Sequence, residues 1–137
     1  MNILVVDDSK LYRDTFSKNL SEYGTVDSSE NGVDALRLFH LAHAKNIPYE
    51  LISLDVNMEP ISGLEVLKSI REWEKISNTR NVAKIVVQSS QDDIKNIMKI
   101  YDMGCQIFLR KPVKIDLLEE KLNKLNIVKT PTINLDF

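Results

Sequence analysis

The chain has 137 residues, 43% of them apolar and 28% charged, which suffices to enclose one core and leaves no second domain of useful size. A formal net charge of −2 removes any bulk electrostatic case for nucleic acid or an anionic membrane, and only a local basic patch stays open. The lone Cys105 excludes an internal disulfide and a cysteine metal cluster, no apolar stretch approaches membrane-spanning length, and a strand begins too early for a signal peptide, so a cytoplasmic single domain is expected.

In chain order, the run Ile3-Leu4-Val5-Val6 is short, wholly apolar and followed by Asp7-Asp8, the pattern of a strand buried on both faces. A helical pattern runs from about Lys10 to Tyr23 with Tyr12, Phe16, Leu20 and Tyr23 on one face, and Gly24 is its natural stop. Thr25 to Ser29 reads as a more polar strand, hence an edge. Asn31-Gly32 opens a helix carrying Ala35, Leu36 and Phe39, and Pro48 closes that segment. Leu51 to Leu54 is a second apolar run and ends in Asp55. Ser62-Gly63-Leu64-Glu65 matches a capping box, and the helix it starts presents Val66, Leu67, Ile70 and Trp73. After a polar loop at Asn78 to Asn81, Ile85 to Val87 leads into Gln88-Ser89-Ser90.

Asp92 to Met103 is expected as a helix with Ile94, Ile97, Met98 and Tyr101 inward, ended by Gly104. Ile107 to Leu109 leads into Arg110-Lys111-Pro112, and a last helix from about Lys114 to Leu125 uses Ile115, Leu118, Leu122 and Leu125. The domain is thus expected over 1–125, with 126–137 as a tail broken at Pro131. Ile127, Val128, Ile133, Leu135 and Phe137 make that tail more apolar than a linker, suited to packing on the domain or to docking on a partner.

Five strands alternating with five helices imply an α/β fold: a doubly wound parallel sheet with helices on both faces and flavodoxin-like order 2-1-3-4-5. Ligands of such sheets bind above the carboxyl ends of the strands where the order reverses, and Asp7, Asp8 and Asp55 fall there. Carboxylates at a strand mouth are too costly to bury unpaired, and with Lys111 they form a hard-oxygen site suited to Mg²⁺ beside a phosphoryl group. One carboxylate is then available as a nucleophile toward phosphorus, Lys111 neutralises charge growing on the transferred oxygens, and Ser89 donates a hydrogen bond to one of them.

Over about residues 1 to 125 the chain resembles the receiver domain of bacterial two-component response regulators, including the stand-alone chemotaxis type. The resemblance rests on Val5-Val6-Asp7-Asp8-Ser9, on Leu54-Asp55 with Gly63 eight residues on, and on Ser89, Gly104, Phe108 and Lys111-Pro112 at matching spacing. It implies that Asp55 is the phosphoacceptor for a histidine kinase or histidine phosphotransfer protein. It also implies that Asp8 and Asp55 ligate Mg²⁺ directly, that the backbone carbonyl of Asn57 completes the protein ligands, and that Asp7 acts mainly through water. Lys111 would bridge Asp55 and the phosphoryl group, with a cis bond to Pro112. Ser89 would move toward the phosphoryl oxygen and let Phe108 rotate inward, a two-state switch read by a protein target on the face of the fourth helix, fifth strand and fifth helix.

The chain departs from the family pattern at Glu59, where Pro is usual (Pro60 follows), at Ser90, where Ala or Gly is common, and at Gln91. The expectation is a single-domain response regulator acting through protein contacts, not an enzyme in the turnover sense. The alternatives are a receiver-like binding module that is never phosphorylated and an aspartyl-phosphate phosphotransferase. The latter is opposed by Asn57, where such enzymes place a second acid. His40 and His43 lack an evident third metal ligand and are expected to be solvent-facing or partly packed. Lys68, Arg71 and Lys75 are expected as solvated charges on an outer helical face. Lys95, Lys99, Lys114, Lys121 and Lys124 fall on the last two helices, where receivers meet partners.

Overall fold

A computed structural model of the chain describes residues 1–90 and 96–131. Five strands, β1 (Asn2–Val6), β2 (Thr25–Ser29), β3 (Leu51–Asp55), β4 (Lys84–Ser89) and β5 (Ile107–Arg110), alternate with five helices, α1 (Lys10–Leu20), α2 (Gly32–Ala44), α3 (Gly63–Ser77), α4 (Ile97–Asp102) and α5 (Ile115–Lys124). All strand pairs are parallel and the order is β2-β1-β3-β4-β5, as expected, with β2 on an edge. No helix among the described residues is long and apolar enough to cross a membrane.

The period of two along each strand divides the core. Leu4, Val6, Ile52, Leu54, Ile85 and Val87 face one side, where α2 brings Ala35 and Phe39 and α3 brings Val66, Leu67 and Ile70. Ile3, Val5, Leu51, Val86, Ile107 and Leu109 face the other, against Phe16 and Leu20 of α1 and Leu118 and Leu122 of α5. Helix starts are set by side chains that accept orphan backbone N–H groups: Ser9 for α1, Asn31 for α2, and the reciprocal Ser62–Glu65 box for α3.

Several helical faces differ from the sequence expectation. Helix α1 stops at Leu20 because the chain tightens into a turn, Ser21 Oγ donating to Lys18 O at 2.6 Å and Tyr23 N–H to Leu20 O at 2.9 Å; Tyr23 is buried from that turn. Tyr12 is 36% exposed and stands off the core. In α4, Ile100 takes the buried position and Met98 points to solvent, with Ile97 and Tyr101 half-buried beside it. Ile94, Lys95 and the start of that expected helix lie outside the described residues. Ile115 at the first position of α5 is likewise exposed, because the stripe that reaches the sheet is Leu118 and Leu122.

Arg71 is not a solvated charge. Its Nε and Nη2 donate to Gly104 O at 2.9 and 2.8 Å, and Nη1 pairs with the buried Glu74. Glu74 Oε2 in turn accepts the Ala83 N–H at 2.8 Å, and Gln106 Oε1 accepts from Arg71 and from the Ile85 N–H. This network ties α3 to the starts of β4 and β5. Glu74→Ala would take the counter-charge from Arg71 and the acceptor from the buried Ala83 N–H together, and a loss of about 3 kcal/mol in urea unfolding is expected. A change within experimental error would show that solvent replaces the carboxylate.

Past Leu125 the chain stays on the domain. Ile127 is 2% exposed against the α1–α5 core, Thr130 N–H donates to Glu22 O at 2.8 Å, and Lys129 pairs with Glu119 and Glu22. Val128 is exposed. Ile133, Leu135 and Phe137 lie outside the described residues.

Candidate functional site

Pairing of β1 with β3 sets Val6 beside Leu54, so the chain emerges from both strands with Asp7 and Asp55 adjacent at the carboxyl edge. One carboxylate oxygen from each of Asp7, Asp8 and Asp55 lies within 4.8 Å of the others. Asp7 and Asp55 are 3% and 2% exposed, whereas Asp8 is open to solvent. Gly63 is required here by close approach: a Cβ on it would fall 2.1 Å from the carbonyl oxygen of Asp55. The first residue of α3 therefore packs directly on the end of β3.

Lys111 follows β5, and its N–H donates to Ser89 O at 2.8 Å. The Lys111–Pro112 bond is cis, as is Glu59–Pro60 in the loop after Asp55. The Lys111 side chain, 6% exposed, crosses the sheet edge and places Nζ 2.8 Å from Asp7 Oδ2 and 3.4 Å from Asp55 Oδ1. In this state the ammonium is thus bound more closely by Asp7 than by Asp55. Asp7 Oδ1 also accepts the Ser9 N–H at 2.9 Å, and Arg13 Nη1 holds the Asp7 carbonyl at 2.9 Å.

Asp55 Oδ1 accepts the Asn57 N–H at 3.1 Å. Burial pushes the Asp55 carboxyl up to about 6, and the charge of Asp7 adds to the rise; the Asn57 N–H and the Lys111 ammonium pull the other way without cancelling it. Three carboxylates facing one ammonium leave surplus negative charge on hard oxygen donors. That donor set fits a small divalent cation.

Asp8, Asn57 and Glu59 line an open cavity of about 620 Å³ next to this cluster, so the exposed Glu59 flanks its mouth. The Asn57 side chain is engaged, Nδ2 donating to Ser90 Oγ at 3.0 Å across the mouth. Ser89 is buried at the end of β4. Phe108 is half-buried against the α2–α3 side of the core, and its N–H donates to the Tyr101 hydroxyl at 3.2 Å. Gln91 lies outside the described residues.

Three contacts were not foreseen. Tyr12 covers Lys111, its ring centroid 4.3 Å from Nζ. Arg13 braces the Asp7 backbone, and Gln88 Nε2 donates to Ser53 Oγ at 2.6 Å in the buried sheet. Gln88 and Ser53 could have been found as polar residues interrupting two apolar runs; Tyr12 and Arg13 carry no such signal.

His40 and His43 pack against the lone Trp73 rather than forming a metal site among the described residues. The His43 ring lies 4.4 Å from that of Trp73, and its Nε2 is buried without a hydrogen-bond partner. Burial holds His43 below its ordinary 6.5, with Glu74 opposing. Its neutral form is thus the one the fold favours, and stability from this site is present above that value and lost as pH falls. In a His40→Gln background, which removes the other imidazole on Trp73, acidification is expected to quench Trp73 fluorescence with a midpoint below 6.5, and His43→Phe to abolish that transition.

Residues 3–123 match the family described as the response regulator receiver domain. The chain is 32% identical over 123 residues to hybrid signal transduction histidine kinase L of Dictyostelium discoideum, covering 89% of this chain and 7% of that protein. It is 31% identical over 126 residues to response regulator MprA of Mycobacterium sp. (strain KMS), covering 91% of this chain and 50% of that protein. The chain therefore spans half the length of one relative and a small part of the other. Its fold is shared with the Saccharomyces cerevisiae co-crystal structure of the histidine phosphotransfer signaling protein Ypd1 and the receiver domain of its downstream response regulator Ssk1. That match has a TM-score of 0.75 at 22% identity and covers 93% of this chain and 92% of the matched chain.

Proposed function

This chain belongs to the response regulator receiver domain family, and from that premise we propose that it is a phosphorylation-dependent switch whose Asp55 accepts a phosphoryl group from a phosphohistidine donor in a Mg²⁺-dependent reaction. The observation that carries the reading is the Lys111 ammonium held between Asp7 and Asp55, at 2.8 and 3.4 Å, beside a third carboxylate on Asp8. An Asp55 oxygen attacks phosphorus as the P–N bond of the donor breaks, and the donor imidazole leaves as the neutral ring after taking a proton. Lys111 stabilises the charge on the transferred oxygens, and Asn57 N–H fixes the orientation of the attacking carboxylate.

Asp8, Asp55 and the backbone carbonyl of Asn57 would hold Mg²⁺, with Asp7 acting through water. When bound, the ion neutralises phosphoryl oxygens and aligns them for in-line transfer. Ser89 and Phe108 form the switch: Ser89 moves toward the phosphoryl group, and Phe108, tied through its N–H to Tyr101 of α4, turns inward. The change is read by a protein target on the α4–β5–α5 face, so the output is contact with a partner and not substrate turnover. The donor is a sensor histidine kinase or a histidine phosphotransfer protein. The yeast receiver of the same fold, crystallised with its phosphotransfer protein, supports the second class.

The test is intact mass after incubation with acetyl phosphate, with Mg²⁺ or with EDTA, followed by peptide mapping. One hydroxylamine-labile phosphoryl on the Asp55 peptide, formed only with Mg²⁺, is expected. Mg²⁺ binding without any adduct from either a small donor or a phosphohistidine protein would favour a silent binding module, with Glu59 at the mouth as the first suspect.

A further inference from the structure

We propose that Tyr12 is a positioning residue for phosphoryl transfer, its ring holding the Lys111 ammonium against the acidic cluster; this rests on Asp55 being the acceptor. A lysine ammonium has three N–H donors on a flexible four-carbon stem, and only its surroundings decide where it sits. Here it faces Asp7 and Asp55, and its remaining side lies 4.3 Å from the centroid of the Tyr12 ring, well inside the range of cation–π attraction.

Core packing does not account for an aromatic side chain at this position. Tyr12 is 36% exposed, while Phe16 and Leu20 of the same helix are 5% and 0% exposed. The ring closes one wall of a cleft of about 140 Å³ that Phe16, Pro112 and Val113 also line, which places it between the Lys111–Pro112 turn and solvent. The contacts form a closed circuit. Asp7 accepts the Ser9 N–H at 2.9 Å, and Ser9 Oγ accepts the Tyr12 N–H at 3.4 Å. Tyr12 covers Lys111, and Lys111 returns to Asp7 at 2.8 Å. The ring is thereby fixed to the same helix start as the carboxylate it faces across the ammonium.

A neutral ring suits this task better than another carboxylate. It attracts the ammonium through its π face without competing as a full charge. Lys111 can therefore pivot toward phosphoryl oxygens arriving on Asp55 while keeping its covered side in place. With acetyl phosphate the P–O bond to the acyl group breaks, acetate leaves with the electron pair, and an Asp55 oxygen forms the new P–O bond. Tyr12 acts only by holding the cation where charge gathers.

The experiment compares wild type with Tyr12→Leu, Tyr12→Phe and Tyr12→Trp. It reads the rate of Asp55 phosphorylation by acetyl phosphate at saturating Mg²⁺, the Mg²⁺ affinity, and the mapped labelling of Lys111 by an amine-reactive ester. Tyr12→Leu is expected to slow phosphorylation about three- to tenfold with Mg²⁺ affinity retained and Lys111 labelled faster, while the Phe and Trp variants restore rate and protection. A wild-type rate in Tyr12→Leu, or Phe and Trp variants as slow as Leu, would overturn the proposal. An unphosphorylated wild type would overturn the acceptor reading instead, and the Lys111 labelling would still decide whether the ring holds the ammonium.

Discussion

Asp55→Asn is expected to abolish acyl-phosphate formation and, in metal-free protein near neutral pH, to raise the thermal midpoint. The first result follows from placement. Asp55 is the buried carboxylate that ends the central strand β3, with Lys111 Nζ 3.4 Å from its Oδ1, and an amide oxygen is too weak a nucleophile to replace it. The second follows from the charges. Asp55 is pushed up from 3.8 to about 6 by burial and by Asp7, so the folded chain holds its proton more tightly than the unfolded chain does. Ionising it therefore destabilises the fold, a cost absent below about pH 4 and fully present above about pH 6. Asparagine removes that cost and keeps an oxygen for the Asn57 N–H.

After allowance for screening at the open mouth, the gain is about 1–2 kcal/mol at pH 7.5, or roughly 3–6 °C, and close to nothing at pH 4. Thermal melts of both proteins in EDTA at the two pH values check it. With Mg²⁺ the order should reverse, because wild type gains a ligand and the variant has lost one. A variant that melts lower than wild type in EDTA would show that the Asp55 charge is already compensated. Phosphorylation that persists in the variant would place the acceptor elsewhere.

The sheet was legible because its strands announce themselves twice, as apolar runs and by the polar residues that end them. Ile3 to Val6 and Leu51 to Leu54 are buried on both faces, and the carboxylates expected beyond them emerge side by side. Helix starts were legible for a local reason, since Ser62 and Glu65 need only each other and the turn between them. Helical faces were harder to read. A stripe of 3.6-residue period displaced by one or two positions still looks amphipathic, so the pattern alone offers Met98 the place that Ile100 holds and draws Tyr12 into the core face. The partners of charged residues were least legible of all. Arg71 finds the Gly104 carbonyl 33 residues away, and Lys111 finds Asp7 104 residues away; the second was foreseen only in outline, from the chemistry that strand ends collect.

Lys111→Ala tests whether the cluster depends on charge. Asp7 and Asp55 are both buried, and removing Nζ leaves them facing each other across the space the ammonium filled. Breaking a buried pair by deleting one partner costs about 3–5 kcal/mol, and here the lower end applies because Asp55 can relieve the strain by taking a proton. A fall of about 10 °C in the metal-free thermal midpoint is expected at pH 7.5. Lys111 holds the Asp55 carboxyl down in wild type, so without it that carboxyl lies above about 6 and takes up its proton first; the difference from wild type should therefore shrink as pH falls from 7.5 toward about 6. Mg²⁺ should also shrink it at pH 7.5, since a dication replaces the missing charge. Lys111→Met keeps most of the apolar stem and separates packing from charge, so it should show the same dependence on pH and metal with a smaller constant loss. A deficit equal at both pH values and indifferent to Mg²⁺ would locate the contribution of Lys111 in its stem. A deficit that either a proton or a metal ion relieves would identify excess negative charge at the ends of β1 and β3 as what the Lys111 ammonium offsets, the same charge that a divalent cation would meet there.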